Sequence, residues 1–201
     1  MKIYPTFLTS ATSPERFPGA SAPEIAFLGR SNVGKSSLLN SLVGTKIAKV
    51  SNTPGRTQTI NFFQVDIGKA KPEPDLIFAD LPGYGYAKVP KHIVGEWPKF
   101  IEPYLAERES LALCVCLVVS NIPPQKSDAQ LIEWLRAQNK PLIVVATKVD
   151  RISKNELAKS LRALREARGE DPLPYSAKTG AGKDELWRVI RGNADSSLRS
   201  E

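Results

Sequence analysis

The stretch GRSNVGKSSLLNSL, residues 29–42, constrains this chain more than any other. Two glycines, Gly29 and Gly34, frame four residues, and Lys35 and Ser36 follow at once. A short apolar run, EIAFLG (24–29), precedes the turn, and a helical pattern follows it over about 35–43. Strand, glycine-framed turn and helix in that order give a concave run of backbone amides at a helix N-terminus, which is a cradle for an anion. The spacing G-x-x-x-x-G-K-[ST] places the Lys35 ammonium to reach the outer phosphates of a nucleotide and the Ser36 hydroxyl to ligate Mg²⁺.

The rest of the chain supplies the sheet such a turn requires. TINFFQVDIG (59–68) and DLIFAD (75–80) read as strands, and the linker KAKPEP is too short for a helical crossover, so the pair is an antiparallel hairpin. A helix follows within about 91–108, then a strand at 111–119, a helix at 126–138 and a strand at 141–147. A helix at 153–168, a short strand at 173–175 and a helix at 182–191 complete the pattern. Such alternation predicts an α/β three-layer sandwich: a mostly parallel six-stranded sheet, one antiparallel edge hairpin and helices on both faces. Residues 1–23, with four prolines, read as an irregular lead-in, 24–192 as the domain and 193–201 as a frayed tail.

At 201 residues the chain suits one domain with a core that needs no disulfide. No apolar run reaches the roughly 18–20 residues of a membrane span. The longest, LALCVCLVV (111–119), has strand length. The N-terminus shows no export signal, so the expected location is the cytoplasm. Cys114 and Cys116 lie two apart on one strand and read as buried, reduced thiols. The net charge of +7 suits a polyanionic partner. It is uneven: residues 41–71 carry Lys46, Lys49, Arg56, Lys69 and Lys71 against Asp66 alone.

Three more strand ends carry chemistry. DLPG (80–83) puts an acid after an apolar strand. Asp80 suits magnesium held through a water, and the Gly83 amide suits a terminal phosphate. TKVD (147–150) follows PLIVVA. The Asp150 carboxylate accepts from guanine N1–H and the 2-amino group, whereas adenine offers an acceptor at N1 and no 2-amino group. Each such bond is worth about 1.5–3 kcal/mol, enough together to exclude adenine. Lys148 would lay its stem along the purine, and YSAK (175–178) offers the Ala177 amide to guanine O6. A guanine-nucleotide-binding P-loop G domain follows from the four together. In the loop NTPGRTQTINFF (52–63), a switch needs one threonine to complete the magnesium shell, and Thr57 and Thr59 both qualify.

GRSNVGKSSLLN, TPGRTQTINFF, DLPGYGYA and TKVD together resemble the EngB (YihA/YsxC) family of bacterial GTPases, within the group that includes Era, over about residues 23–191. The resemblance implies a cytosolic GTPase needed for assembling the large ribosomal subunit and linked to cell division and septation; the chain is read as a monomeric switch. Its nucleotide contacts fall on Gly29, Arg30, Ser31, Asn32, Val33, Gly34, Lys35, Ser36 and Ser37 of the first loop. In the second they fall on Gly55, Arg56, Thr57, Gln58 and Thr59, and in the third on Asp80, Leu81, Pro82 and Gly83. The base contacts fall on Thr147, Lys148, Val149 and Asp150, and on Tyr175, Ser176 and Ala177. Its magnesium ligands fall on Ser36 and Thr57, which favours Thr57 over Thr59; the catalytic set becomes Lys35, Thr57 and Gly83. Related GTPases use an asparagine at the Asn32 position to help hold K⁺ near the phosphates.

Tyr84 stands where many GTPases place a water-orienting glutamine. It has no amide, and its phenol is expected to turn away, so hydrolysis should be slow until an ion or partner completes the site. The helix-start His92 and the tryptophans 97, 134 and 187 read as structural. In the helix 154–168, Leu157, Leu161 and Leu164 form an apolar stripe, and the basic residues read as a solvated face, with RNA contact as the alternative. GTP would order 44–59 and 83–90 for ribosomal RNA and protein. A division scaffold acting through protein contacts is weakened by the lack of a lipid or amphipathic anchor. A metabolic kinase is weakened by the lack of room for an acceptor domain.

Overall fold

The computed structural model describes residues 2–48, 59–84, 99–169 and 171–198. Its sheet contains the strands β1 (Ile3–Ala11), β2 (Glu24–Gly29), β3 (Ile60–Ile67), β4 (Leu76–Asp80), β5 (Leu111–Val119), β6 (Leu142–Thr147) and β7 (Leu173–Pro174). The helices are α1 (Lys35–Val43), α2 (Ile101–Glu107), α3 (Lys126–Ala137), α4 (Lys154–Arg168) and α5 (Lys183–Leu198). Sheet order is β1-β3-β4-β2-β5-β6-β7, and only β3 runs against its neighbours.

The central strands are buried on both faces, so they read as unbroken apolar runs and divide their side chains by the two-residue strand period. Ile25 and Phe27 of β2 pack with Leu38, Leu39 and Leu42 of α1 and Leu186, Trp187 and Ile190 of α5. Ala26 and Leu28 point the other way, to Tyr104 and Leu105 of α2, Leu131, Ile132 and Leu135 of α3, and Leu164 of α4. Cys114 and Cys116 share that second face, and both are buried. Burial pushes the Cys114 thiol up to about 12. Trp187 donates from Nε1 to the Leu42 carbonyl at 3.2 Å, and Trp134 of α3 packs against the core on the second face, so both serve the core. His92 and Trp97 lie outside the described residues.

The three-layer reading holds with three corrections at its margins. The sheet has seven strands, because residues 3–11 of the expected lead-in form β1, paired antiparallel with β3. Pro5 misleads a sequence reading here, but an edge strand leaves half its N–H groups unpaired and tolerates proline. The hairpin β3–β4 is consequently interior, since β1 covers its outer strand. The segment after β1 is tied down as well. Glu24, fully buried, accepts from Tyr104 Oη at 2.8 Å and from Arg108 Nε at 2.9 Å, and Arg108 also donates to the Pro18 carbonyl at 2.6 Å. Finally, α5 runs through the expected tail to Leu198. Gly192 looks like a stop, yet Ala194 beyond it is buried in the α1–α5 layer, and that packing outweighs the glycine's cost of about 1 kcal/mol.

Candidate active site

The carboxyl ends of β2, β4, β6 and β7 meet at one pole of the sheet, where a parallel α/β fold places its ligands. Between β2 and α1 the chain turns through Asn32 at φ 64° and Gly34 at φ 102°. The second is a backbone conformation that side chains rarely adopt, which explains the glycine. Val33 N–H donates to the Arg30 carbonyl at 3.1 Å, and Leu38 N–H donates to the Gly34 carbonyl at 2.9 Å as α1 begins. The back of the turn is held from β6. Thr147 Oγ1 donates to the Val33 carbonyl at 2.7 Å, and Lys148 Nζ to the Asn32 carbonyl at 2.6 Å. Thr147 and Lys148, predicted as base contacts, therefore also brace the phosphate loop.

At the phosphate end, the Lys35 ammonium pairs with the Asp80 carboxylate, and both side chains are nearly buried. Ser36 is half-buried in the first turn of α1. The Ser36 hydroxyl after β2 and the Asp80 carboxylate at the end of the neighbouring strand β4 are hard oxygen donors, and they fit Mg²⁺, which takes few protein ligands and the rest from phosphates and water. Leu81 and Pro82 are buried, while Gly83 between them and buried Tyr84 is exposed. Tyr84 is buried too, and its hydroxyl donates to Asp128 Oδ1 at 3.0 Å, so the phenol does turn away from the phosphate loop. Thr59 sits at the start of β3, its Oγ1 3.3 Å from Asn61 Oδ1. Gly55, Arg56, Thr57 and Gln58 lie outside the described residues.

The base end is a cavity of about 720 Å³ between α1 and the loops after β6 and β7. Gly34, Leu38, Lys148, Asp150, Ala177 and Lys178 line it. Asp150 accepts from Ser176 Oγ at 2.6 Å, and that bond holds its carboxyl below the ordinary range, so it stays ionised. Burial lowers the pKa of Lys148, with Arg151 adding to the effect. Tyr175 lines the cavity, but its hydroxyl donates to Ser41 Oγ at 3.0 Å, and burial pushes the phenol's pKa up. Val149 N–H reaches the Tyr175 carbonyl at 3.4 Å, which joins the two base-reading loops. Ser176 therefore orients Asp150, and Ala177 lines the cavity beside it.

One residue here was not singled out from sequence. Asn40 Oδ1 accepts from the N–H groups of Ile47 (2.9 Å) and Ala48 (2.8 Å), and its Nδ2 donates to the Ala48 carbonyl at 2.9 Å. It ties Ile47 and Ala48 back to α1. An asparagine inside a nine-residue helix, four positions before a C-terminal glycine, was the available signal.

Comparison with known proteins agrees with this geometry. The model of the 50S ribosome-binding GTPase family matches residues 24–148. The probable GTP-binding protein EngB of Acidobacterium capsulatum is 61% identical over 94% of this chain and 90% of its own length. That of Koribacter versatilis is 58% identical over 94% of both. A crystal structure of Era with MgGDPNP and nucleotides 1506–1542 of 16S ribosomal RNA aligns with a TM-score of 0.66 at 26% identity. It covers 84% of this chain, which spans about half the Era chain (55%). With a phosphate loop braced by Lys148, an ionised Asp150 lining an open cavity and near-full-length likeness to these relatives, the chain belongs to the EngB family of P-loop GTPases.

Proposed function

We propose that this GTPase is a switch in the assembly of the large ribosomal subunit, monomeric, cytoplasmic and slow to hydrolyse GTP unaided. The family's description as 50S ribosome-binding carries the choice of partner. Exposed Lys46 at the root of the first switch loop and exposed Lys69 at the hairpin turn suit an RNA backbone. Era, a more distant relative, is bound to a segment of 16S RNA, which supports ribosomal RNA as the class of partner. A role in division and septation would follow from the supply of ribosomes.

The nucleotide would dock with guanine against Asp150 and Ala177 and its phosphates along the amides of Asn32–Ser37. Lys35 would then exchange Asp80 for phosphate oxygens, leaving Asp80 and Ser36, with Thr57 as the family implies, to hold Mg²⁺. When bound, Mg²⁺ would supply positive charge that offsets the charge of the phosphates. The Gly83 amide would meet the γ-phosphate. With the Tyr84 hydroxyl on Asp128, the attacking water needs another aligner, so basal turnover is slow. Asn32, exposed at its positive φ, is the residue that would help hold K⁺; turnover in K⁺ should exceed turnover in Na⁺.

Sedimentation with purified 50S particles tests the partner. A GTP analogue should raise co-sedimentation well above GDP, and the complex should weaken steeply with salt. Binding indifferent to both nucleotide and salt would reject the reading.

A further inference from the structure

The β2–β4 pairing continues past its regular end with one residue too many on one side. Leu81 N–H donates to the Phe27 carbonyl at 3.2 Å, one further step of the parallel ladder. A regular ladder would bring residue 83 to the next β2 carbonyl in register, that of Gly29. Tyr84 makes that bond instead, at 3.4 Å, and its own carbonyl accepts from Ser31 N–H at 3.0 Å. The chain therefore bulges by one residue at Pro82–Gly83, as strands do where a group must be re-aimed.

The residue types fit the bulge. Pro82 has no N–H to leave unpaired. Gly83 is exposed between buried Pro82 and buried Tyr84, and lies directly on the phosphate loop. A Cβ at Gly83 would stand 3.1 Å from both Cα and N of Ser31. The ladder resumes at Tyr84, whose ring belongs to the core and whose hydroxyl donates to Asp128 Oδ1 at 3.0 Å. Asp128, only 4% exposed, sits in the first turn of α3.

We propose that Tyr84 and Asp128 are a positioning pair for the γ-phosphate contact. By fixing the far side of the bulge to α3, they hold the Gly83 amide outward over the phosphate loop before any nucleotide arrives. Only GTP has a group for that amide to meet, so the pair acts on the preference for GTP over GDP and leaves the guanine site alone. The hydroxyl of a residue that replaces a catalytic glutamine thereby serves nucleotide discrimination.

The test measures affinities for GDP and a non-hydrolysable GTP analogue by calorimetry, with kcat and melting temperature, for the full chain carrying Tyr84→Phe, Asp128→Ala or Asp128→Asn. Tyr84→Phe and Asp128→Ala should each weaken the GTP analogue about 5- to 10-fold while GDP changes less than about twofold. Asp128→Asn, whose amide oxygen still accepts from the phenol, should recover most of the loss. Combining it with Tyr84→Phe should add nothing to Tyr84→Phe alone. Parallel losses for both nucleotides, or an unchanged ratio with a lower melting temperature, would reduce the pair to a structural tie and overturn the proposal. So would two variants with no effect at all. If Asp128→Ala does not fold, Tyr84→Phe against Asp128→Asn decides the matter alone.

Discussion

The two ends of the nucleotide site are built differently. At the base end the reading groups already have the partners that orient them: Ser176 holds Asp150, and Val149 joins the two loops around an open cavity. At the phosphate end the charged groups pair with each other, Lys35 with Asp80. On the proposed reading, base selection is prepared by the fold, whereas the phosphate site would exchange an internal ion pair for phosphate and magnesium. The difference suits a switch, which should keep guanine recognition constant while its response to the third phosphate changes.

The largest expected effect comes from breaking the phosphate end. Lys35→Ala should lower GTP turnover by about 100-fold or more, measured as phosphate release. It also strands the nearly buried Asp80 carboxylate, so the nucleotide-free variant should melt earlier than the parent, by about 3 kcal/mol of stability.

Next comes the base end. Asp150→Asn should weaken GDP by about 100-fold, because an amide cannot accept from both guanine donors. Xanthosine diphosphate, with an oxygen where guanine has its amino group, should gain by comparison. Loss of both nucleotides alike would mean that Asp150 does not read the base.

The smallest effect sharpens the claim that Ser176 prepares Asp150. The Ser176 bond lowers the Asp150 pKa, so the ionised form is present above the depressed value and lost as pH falls through it. Ser176→Ala should move that loss of guanine binding to higher pH and weaken GDP about 5-fold at neutral pH. Titrations of GDP affinity between neutral and acid pH check it; superimposable profiles would remove Ser176 from the site.

The same contrast governs what the sequence could tell. The phosphate loop, the β3–β4 hairpin, β5 and the helical stripe of α4 are legible because each rests on local spacing or periodicity. So is the fate of Tyr84, whose length and lack of an amide already argue against a water-aligning role. The strand β1 is not legible, since its signal lies in pairing with β3, about fifty to sixty residues on, and Pro5 argues locally against it. Asn40 and Asp128 escape for the same reason. A helical asparagine and a first-turn aspartate are ordinary locally, and only tertiary structure brings Ile47, Ala48 and the Tyr84 hydroxyl to them. Motifs show which groups meet the ligand; the groups that hold them in place are found from the fold.

Hydrogen exchange, followed peptide by peptide in the nucleotide-free, GDP-bound and GTP-analogue-bound protein, tests the contrast itself. The account predicts that the backbone of 143–150 and 173–181 is protected without nucleotide and differs little between the two bound forms. Residues 31–37 and 80–84 should gain protection stepwise, first with GDP and again with the analogue. Equal changes at both ends, or a base end that becomes protected only when the γ-phosphate is present, would contradict it.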